Sequence, residues 1–233
     1  MIFLKLILSH LLGDFIFQTD NWVIDKDKKK IKSKYLYIHI LFHTLLIFIF
    51  LWDLSLWYIP LIVGISHYFI DLAKLYFQNR RTRRWWFFLD QLAHILVIIA
   101  ISYYFKEIRF NFFENQLYLK YIVTAVFLTV PTSIIIKNLL STWSPITIEH
   151  SKIQTDSLVN AGKYIGILER LLVLTFIIIN RWEGVGFMIA AKSVFRFSDL
   201  AEAKQRKLTE YVLIGTLLSF GIAVITGIIV NVF

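Results

Sequence analysis

Apolar runs of about twenty residues recur along this chain, and that recurrence constrains its fold more than any other feature. A bilayer core of about 30 Å is crossed by roughly 20 helical residues at ~1.5 Å each. Runs of suitable length and composition fall at 2–19, 35–52, 55–77, 85–105, 117–140, 164–180, 185–197 and 211–233. The seventh is short for a crossing, so it either crosses or re-enters, and the expectation is an all-α transmembrane bundle of seven or eight segments. With 58% hydrophobic residues, and only 9 Gly and 3 Pro to interrupt the runs, a soluble or disordered chain is excluded. Cysteine is absent, which removes disulfides, thiolate ligands and thiol nucleophiles, so any chemistry here uses nitrogen and oxygen.

The net charge of +9 is placed by topology. Lys26, Lys28, Lys29, Lys30, Lys32 and Lys34 fill the link after the first run, and Arg80, Arg81, Arg83 and Arg84 the link after the third. Alternating helices bring both links to one side, which the positive-inside rule makes cytoplasmic, leaving the N-terminus outside. Those basic runs therefore call for no nucleic acid. Trp52, Trp57, Trp85, Trp86 and Trp182 fall at expected helix ends, as an interfacial aromatic belt requires. The first run lacks a small-residue cleavage site and carries His10 and Asp14, so it is kept as part of the folded protein. Three regions follow: 1–105 with two similar hairpins, 106–163 with a fifth helix and a polar cytoplasmic loop, and 164–233 with charges inside apolar runs.

The first four helices hold four pairs at i, i+4 spacing: His10/Asp14, His39/His43, His67/Asp71 and Asp90/His94. Residues four apart share one helix face, so both members of a pair can reach one ion. Counted from the basic-loop end of each helix, all eight lie roughly 4 to 11 residues in, a single layer ~6–16 Å deep. The order of pair, basic loop, pair occurs twice, which implies a pseudo-two-fold along the membrane normal and two half-sites meeting at one centre. Five imidazoles and three carboxylates without sulfur suit one or two divalent transition-metal ions, Zn first, with Mn or Fe as alternatives. The other reading is a hydrogen-bonded or proton-relaying network between helices. Three central aspartates cost on the order of 10 kcal/mol to insert, which bound Zn at ~10–16 kcal/mol offsets. Gln18 and Gln91 flank the pairs and either orient a ligand or bond between helices.

Further along, Glu169 and Arg170 in "GILERLLVL", Lys192 and Arg196 in "AAKSVFRF", and Glu210 place charge inside apolar runs. They either pair as a brace or, in the case of Arg170, Lys192 and Arg196, offer donors to a phosphate or carboxylate beside the metals. His150, next to Glu149 in a polar loop, is assigned no role.

The stretches "SHLLGDFIFQTD", "HILFH", "SHYFIDLAK", "LDQLAH", "GILERLLVL", "AAKS" with "FRF", and "EYVLIGTLLSF" resemble, over essentially the whole chain, a bacterial integral membrane family, domain of unknown function 3307. The resemblance implies a bacterial inner-membrane protein and carries no activity with it. His-x3-Asp pairs on membrane helices are also loosely similar to membrane-bound metal-dependent hydrolases. The expected function is a metal-dependent hydrolase of a lipid-type phosphate ester at the cytoplasmic leaflet. Its ions would be held by His10, Asp14, His39, His43, His67, Asp71, Asp90 and His94, with Asp14 or Asp90 as general base. A divalent-metal transporter or sensor is the main rival and a di-iron oxidase the third reading. The polar positions fade beyond His10, His43, His67 and His94, which favours a dead-end site over a pathway.

Overall fold

The structure, a computed structural model, describes residues 2–104, 117–141, 156–200 and 206–232, and those residues are helical without strands. They form two compact units, Met1–Val123 and Thr124–Phe233. Among the described residues five helices are long and apolar enough to cross a membrane, or six if the first helix and the bent helix after it count as one span.

The first unit is built on α1 (Ile2–Leu11), α3 (Lys34–Leu51), α4 (Tyr58–Phe77) and α5 (Arg83–Tyr104). Contacts of α1 with α3, α3 with α4, α4 with α5 and α5 with α1 close a ring of four alternating helices. Each helix buries one stripe. On α3 the stripe is Leu36, His39, His43, Ile47 and Leu51, at helical spacing, while Leu41, Leu45, Phe48 and Ile49 are exposed. Apolar residues outside and histidines inside are what a bundle in lipid requires, because polar groups are satisfied only by facing other helices. Chain turns are short: Trp52 adopts the left-handed conformation that ends α3, and Asn79 accepts the amides of Arg81 and Thr82 between α4 and α5.

The run at 2–19 is not one straight helix. After Leu11 the chain passes into a π-helical segment, Leu12–Phe17, and then bends by 87° into α2 (Asp20–Lys29). Trp22 stacks on Tyr35 at 5.5 Å, Asp27 accepts bonds from Gln78 at 2.5 Å and Arg83 at 2.9 Å, and Asp25 accepts the Ser33 hydroxyl at 2.6 Å. The Lys29 ammonium, with that hydroxyl, holds the Asp25 carboxyl below the usual carboxylate range. The first basic link is therefore a helix folded across the end of the ring.

The chain passes from the first unit to the second within α6 (Leu117–Leu128), which with α7 (Val130–Leu140) divides the run at 117–140. Pro131 lacks an amide proton and cannot continue the ladder, so the helix restarts at Val130. Together with α8 (Asp156–Ile178), α9 (Trp182–Leu200) and α10 (Arg206–Val232), this element buries Leu128, Val173, Leu174, Ile177, Val185, Phe220 and Ala223. The run expected at 185–197 is thus a 19-residue helix. The polar loop carrying Glu149 and His150 lies outside the described residues.

Candidate metal centre

His39 and His43 lie on the buried stripe of α3, His67 and Asp71 on that of α4, Asp90 and His94 on that of α5, and His10 at the end of α1. Asp14 reaches the same layer from the π-helical segment. A π turn closes i→i+5 rather than i→i+4 and so rotates the residues beyond Leu11 out of α-helical register. The result is that His10 Nδ1 and Asp14 Oδ2 are 3.9 Å apart, whereas Asp14 Oδ1 reaches across to His43 Nε2 at 2.8 Å. All eight expected ligands meet in one layer. Three overlapping sets hold their donor atoms within 4.8 Å: His10, Asp14, His43 and His67; His39, His67 and Asp71; and Asp14, Asp90 and His94.

Two centres of convergence stand out. Asp14 Oδ1 lies 2.8 Å from His43 Nε2, 3.3 Å from His39 Nε2 and 3.4 Å from His67 Nε2, and the last two nitrogens are 3.0 Å apart. A tetrahedral ion with ligands at ~2.0–2.1 Å separates those ligands by ~3.3–3.4 Å. Those four separations are already near that spacing. Beside them His94 Nε2 is 3.5 Å from Asp90 Oδ1 and 3.6 Å from Asp71 Oδ1. Among the described residues, His94 Nε2 and Asp90 Oδ1 are buried without a hydrogen-bond partner. Buried polar atoms are seldom left so, and two facing orphans of ligand type fit a cation between them. Asp14 belongs to the sets on both sides, so its carboxylate is placed to bridge.

Both glutamines touch the layer. Gln91 Nε2 donates to Asp14 Oδ2 at 2.9 Å, and its carbonyl oxygen accepts from His10 Nε2 at 3.1 Å. Since that oxygen can only accept, the proton of His10 sits on Nε2 and the lone pair on Nδ1, facing Asp14. Gln18 Nε2 lies 3.2 Å from His39 Nε2.

Two residues absent from the sequence-based set complete the centre. Lys26, on α2, is buried and donates to Asp71 Oδ2 at 2.8 Å, and Lys74, on α4, donates to Asp90 Oδ2 at 2.7 Å. Both arrive from the basic-loop side. Lys74 had a visible signal, since His67, Asp71 and Lys74 share a face at i, i+4, i+7. Lys26 had none beyond the link's basic character.

The opposite side of the layer is closed. One or two turns beyond the ligands, Ile2, Leu6, Ile47, Leu51, Ile59, Val63, Ile98 and Ile101 from the same four helices form a continuous apolar core. Between that core and His10, His43, His67 and His94 lies a cavity of about 10 Å³, enough for roughly one water.

The cations expected to bind substrate have other occupations within the second unit. Arg170 Nε donates to Leu128 O at 2.6 Å, Nη2 to Thr129 O at 3.0 Å and Ser133 Oγ at 2.7 Å, and Nη1 to Ser219 Oγ at 3.0 Å. It takes up carbonyls freed where α6 stops. Lys192 is hydrogen-bonded to Glu169. For these two the geometry is that of the brace. The Arg196 side chain lies outside the described residues.

The family described as "Protein of unknown function (DUF3307)" matches residues 2–119, just over half of the chain, and the chain belongs to it. That match holds all eight candidate ligands, both glutamines, Lys26 and Lys74, while "GILERLLVL", "AAKS" and "EYVLIGTLLSF" fall beyond it. Neither the curated proteins nor the solved structures contain a match.

Proposed function

We propose that the four-helix unit holds one or two divalent transition-metal ions, with Zn, Mn or Fe suited to the donors, and hydrolyses a lipid-type phosphate ester at the cytoplasmic leaflet of a bacterial inner membrane. The observation that carries the reading is the asymmetry of the layer: the buried lysine ammoniums meet its carboxylates on the basic-loop side, and an apolar core lies on the far side. A transport site needs polar groups leading away on both sides. Ions bound here would acidify water and polarise phosphoryl oxygens. Asp14 and Asp90 are the candidate proton acceptors, Asp90 with a buried oxygen free of hydrogen bonds, while Gln91 holds Asp14 and His10 in place. In the net step a water oxygen bonds to phosphorus, the ester P–O bond breaks, and the water's proton leaves with the alcohol.

In this topology the basic loops are cytoplasmic and the N-terminus is outside. Membrane segments are α1, α3, α4, α5, the α6–α7 pair, α8, α9 and α10, α9 crossing or re-entering. The test is turnover of a panel of lipid phosphates by the purified, metal-loaded chain. Release of phosphate or head group by wild type, abolished in a folded Asp71→Asn, is the expected result. No turnover, with protein-dependent uptake of Zn or Mn into sealed liposomes that Asp71→Asn stops, would replace the hydrolase with the transporter.

A further inference from the structure

We propose that Lys26 and Lys74 form the subsite for the substrate's phosphoryl group, a dianionic terminal phosphate, a reading that rests on the metal centre proposed above. Lys26 is 6% exposed, although its link carries five other lysines. Burying an ammonium costs several kcal/mol unless a specific partner is present, so its inward turn is not a by-product of topology. Lys74 approaches the neighbouring carboxylate from the same side.

The carboxylates divide their oxygens. Oδ1 of Asp71 and Oδ1 of Asp90 both face His94 Nε2, at 3.6 and 3.5 Å, while Oδ2 of each accepts a lysine ammonium, at 2.8 and 2.7 Å. Each ammonium therefore lies one carboxylate away from the ligand atoms, on the basic-loop side of the layer. An anion that meets the ions from that side comes within reach of both lysines. Lysine suits the exchange because its charge rides on a four-carbon stem with rotatable donors. Once an ion draws on Asp71 and Asp90, the hold of each carboxylate on its lysine weakens, and a phosphoryl oxygen can take its place.

Charge arithmetic selects the ligand class. In the ligating state the imidazoles are neutral and the carboxylates ionised. Three carboxylates against two ammoniums leave one net negative charge, and two divalent ions turn this into three positive. A phosphate monoester dianion and one hydroxide neutralise that sum, which a neutral or zwitterionic head group does not.

The test uses the full chain in detergent or nanodiscs, loaded with Zn or Mn, with metal content read by elemental analysis and inorganic phosphate binding by equilibrium dialysis. Lys26→Met and Lys74→Met should keep at least the wild-type metal content and bind phosphate at least tenfold more weakly. Lys26→Arg should recover most of the affinity, and Lys28→Met, exposed on the same helix, should have no effect. Should Lys26→Met fail to fold, Lys74→Met tests the same subsite. Competition by phosphatidic acid but not phosphatidylcholine in the nanodisc would assign the phosphoryl group to a lipid. Phosphate binding without that competition would assign it to a soluble ester. Metal-loaded variants that bind phosphate like wild type, or wild type that holds metal yet binds no phosphate, would overturn the subsite alone. Wild type that takes up no metal would overturn the metal centre with it.

Discussion

Gly13 and His43 approach so closely that a Cβ at position 13 would sit 2.3 Å from the His43 Nε2 atom. The missing side chain lets the π-helical segment lie against the imidazole that Asp14 accepts at 2.8 Å. Gly13→Ala should push His43 away from Asp14, destabilise the unit by about 1–3 kcal/mol, the usual range for overpacking, and lower metal content by more than half. Thermal unfolding and elemental analysis check this together. Wild-type metal content in a folded Gly13→Ala would mean that the close contact does not shape the site.

The eight candidate ligands should not contribute equally. His67 belongs to two of the three donor sets, with Nε2 at 3.0 Å from His39 and 3.4 Å from Asp14, whereas His10 belongs to one and stands 3.9 Å from Asp14. Removal of His67 should cost at least tenfold in metal affinity, and removal of His10 clearly less. Competition with a chelator on His67→Ala and His10→Ala measures the order, and equal losses would contradict the division into these three overlapping sets.

The helical pairs were legible because three of the four bearing helices are regular: with α3, α4 and α5 intact, i, i+4 spacing places both members on the buried stripe. Depth was legible for the same reason, since rise per residue is constant in a helix. Asp14 reached the layer by a different route. Its π turn depends on packing against His43 through Gly13, a tertiary contact that periodicity does not encode. Lys26 was hidden because six lysines in one link have a sufficient explanation in membrane topology, and which of them turns inward depends on the 87° bend before α2. In the second unit the run at 117–140 was read as one helix, and both its break at Pro131 and Arg170 as the group that satisfies the freed carbonyls emerged only from the packed helices.

Orientation has a direct check. Reporter fusions after Lys30 and after Arg81 should both read cytoplasmic, and one after Leu54 should not, because the two basic links share the side on which Lys26 and Lys74 enter the layer. Opposite locations for the two basic links would be incompatible with the closed four-helix ring.

Arg170 separates a brace from a substrate contact. Its guanidinium serves two backbone carbonyls and two hydroxyls at the α6–α7 break, within a region too apolar for water to replace them. Arg170→Met leaves those acceptors without donors, and a loss of about 3–5 kcal/mol is expected, the range for removing one partner from a buried charged network. Arg170→Lys should recover little, because a single ammonium cannot reproduce the planar fork that spans Leu128, Thr129, Ser133 and Ser219. Metal content of the four-helix unit should stay at the wild-type level in whatever fraction remains folded, since the network belongs to the second unit. Thermal unfolding alongside phosphate release discriminates the two roles: a brace lowers the melting temperature and leaves turnover per folded molecule unchanged. A substrate contact would do the reverse, raising KM at an unaltered melting temperature, and that outcome would return Arg170 to the binding site.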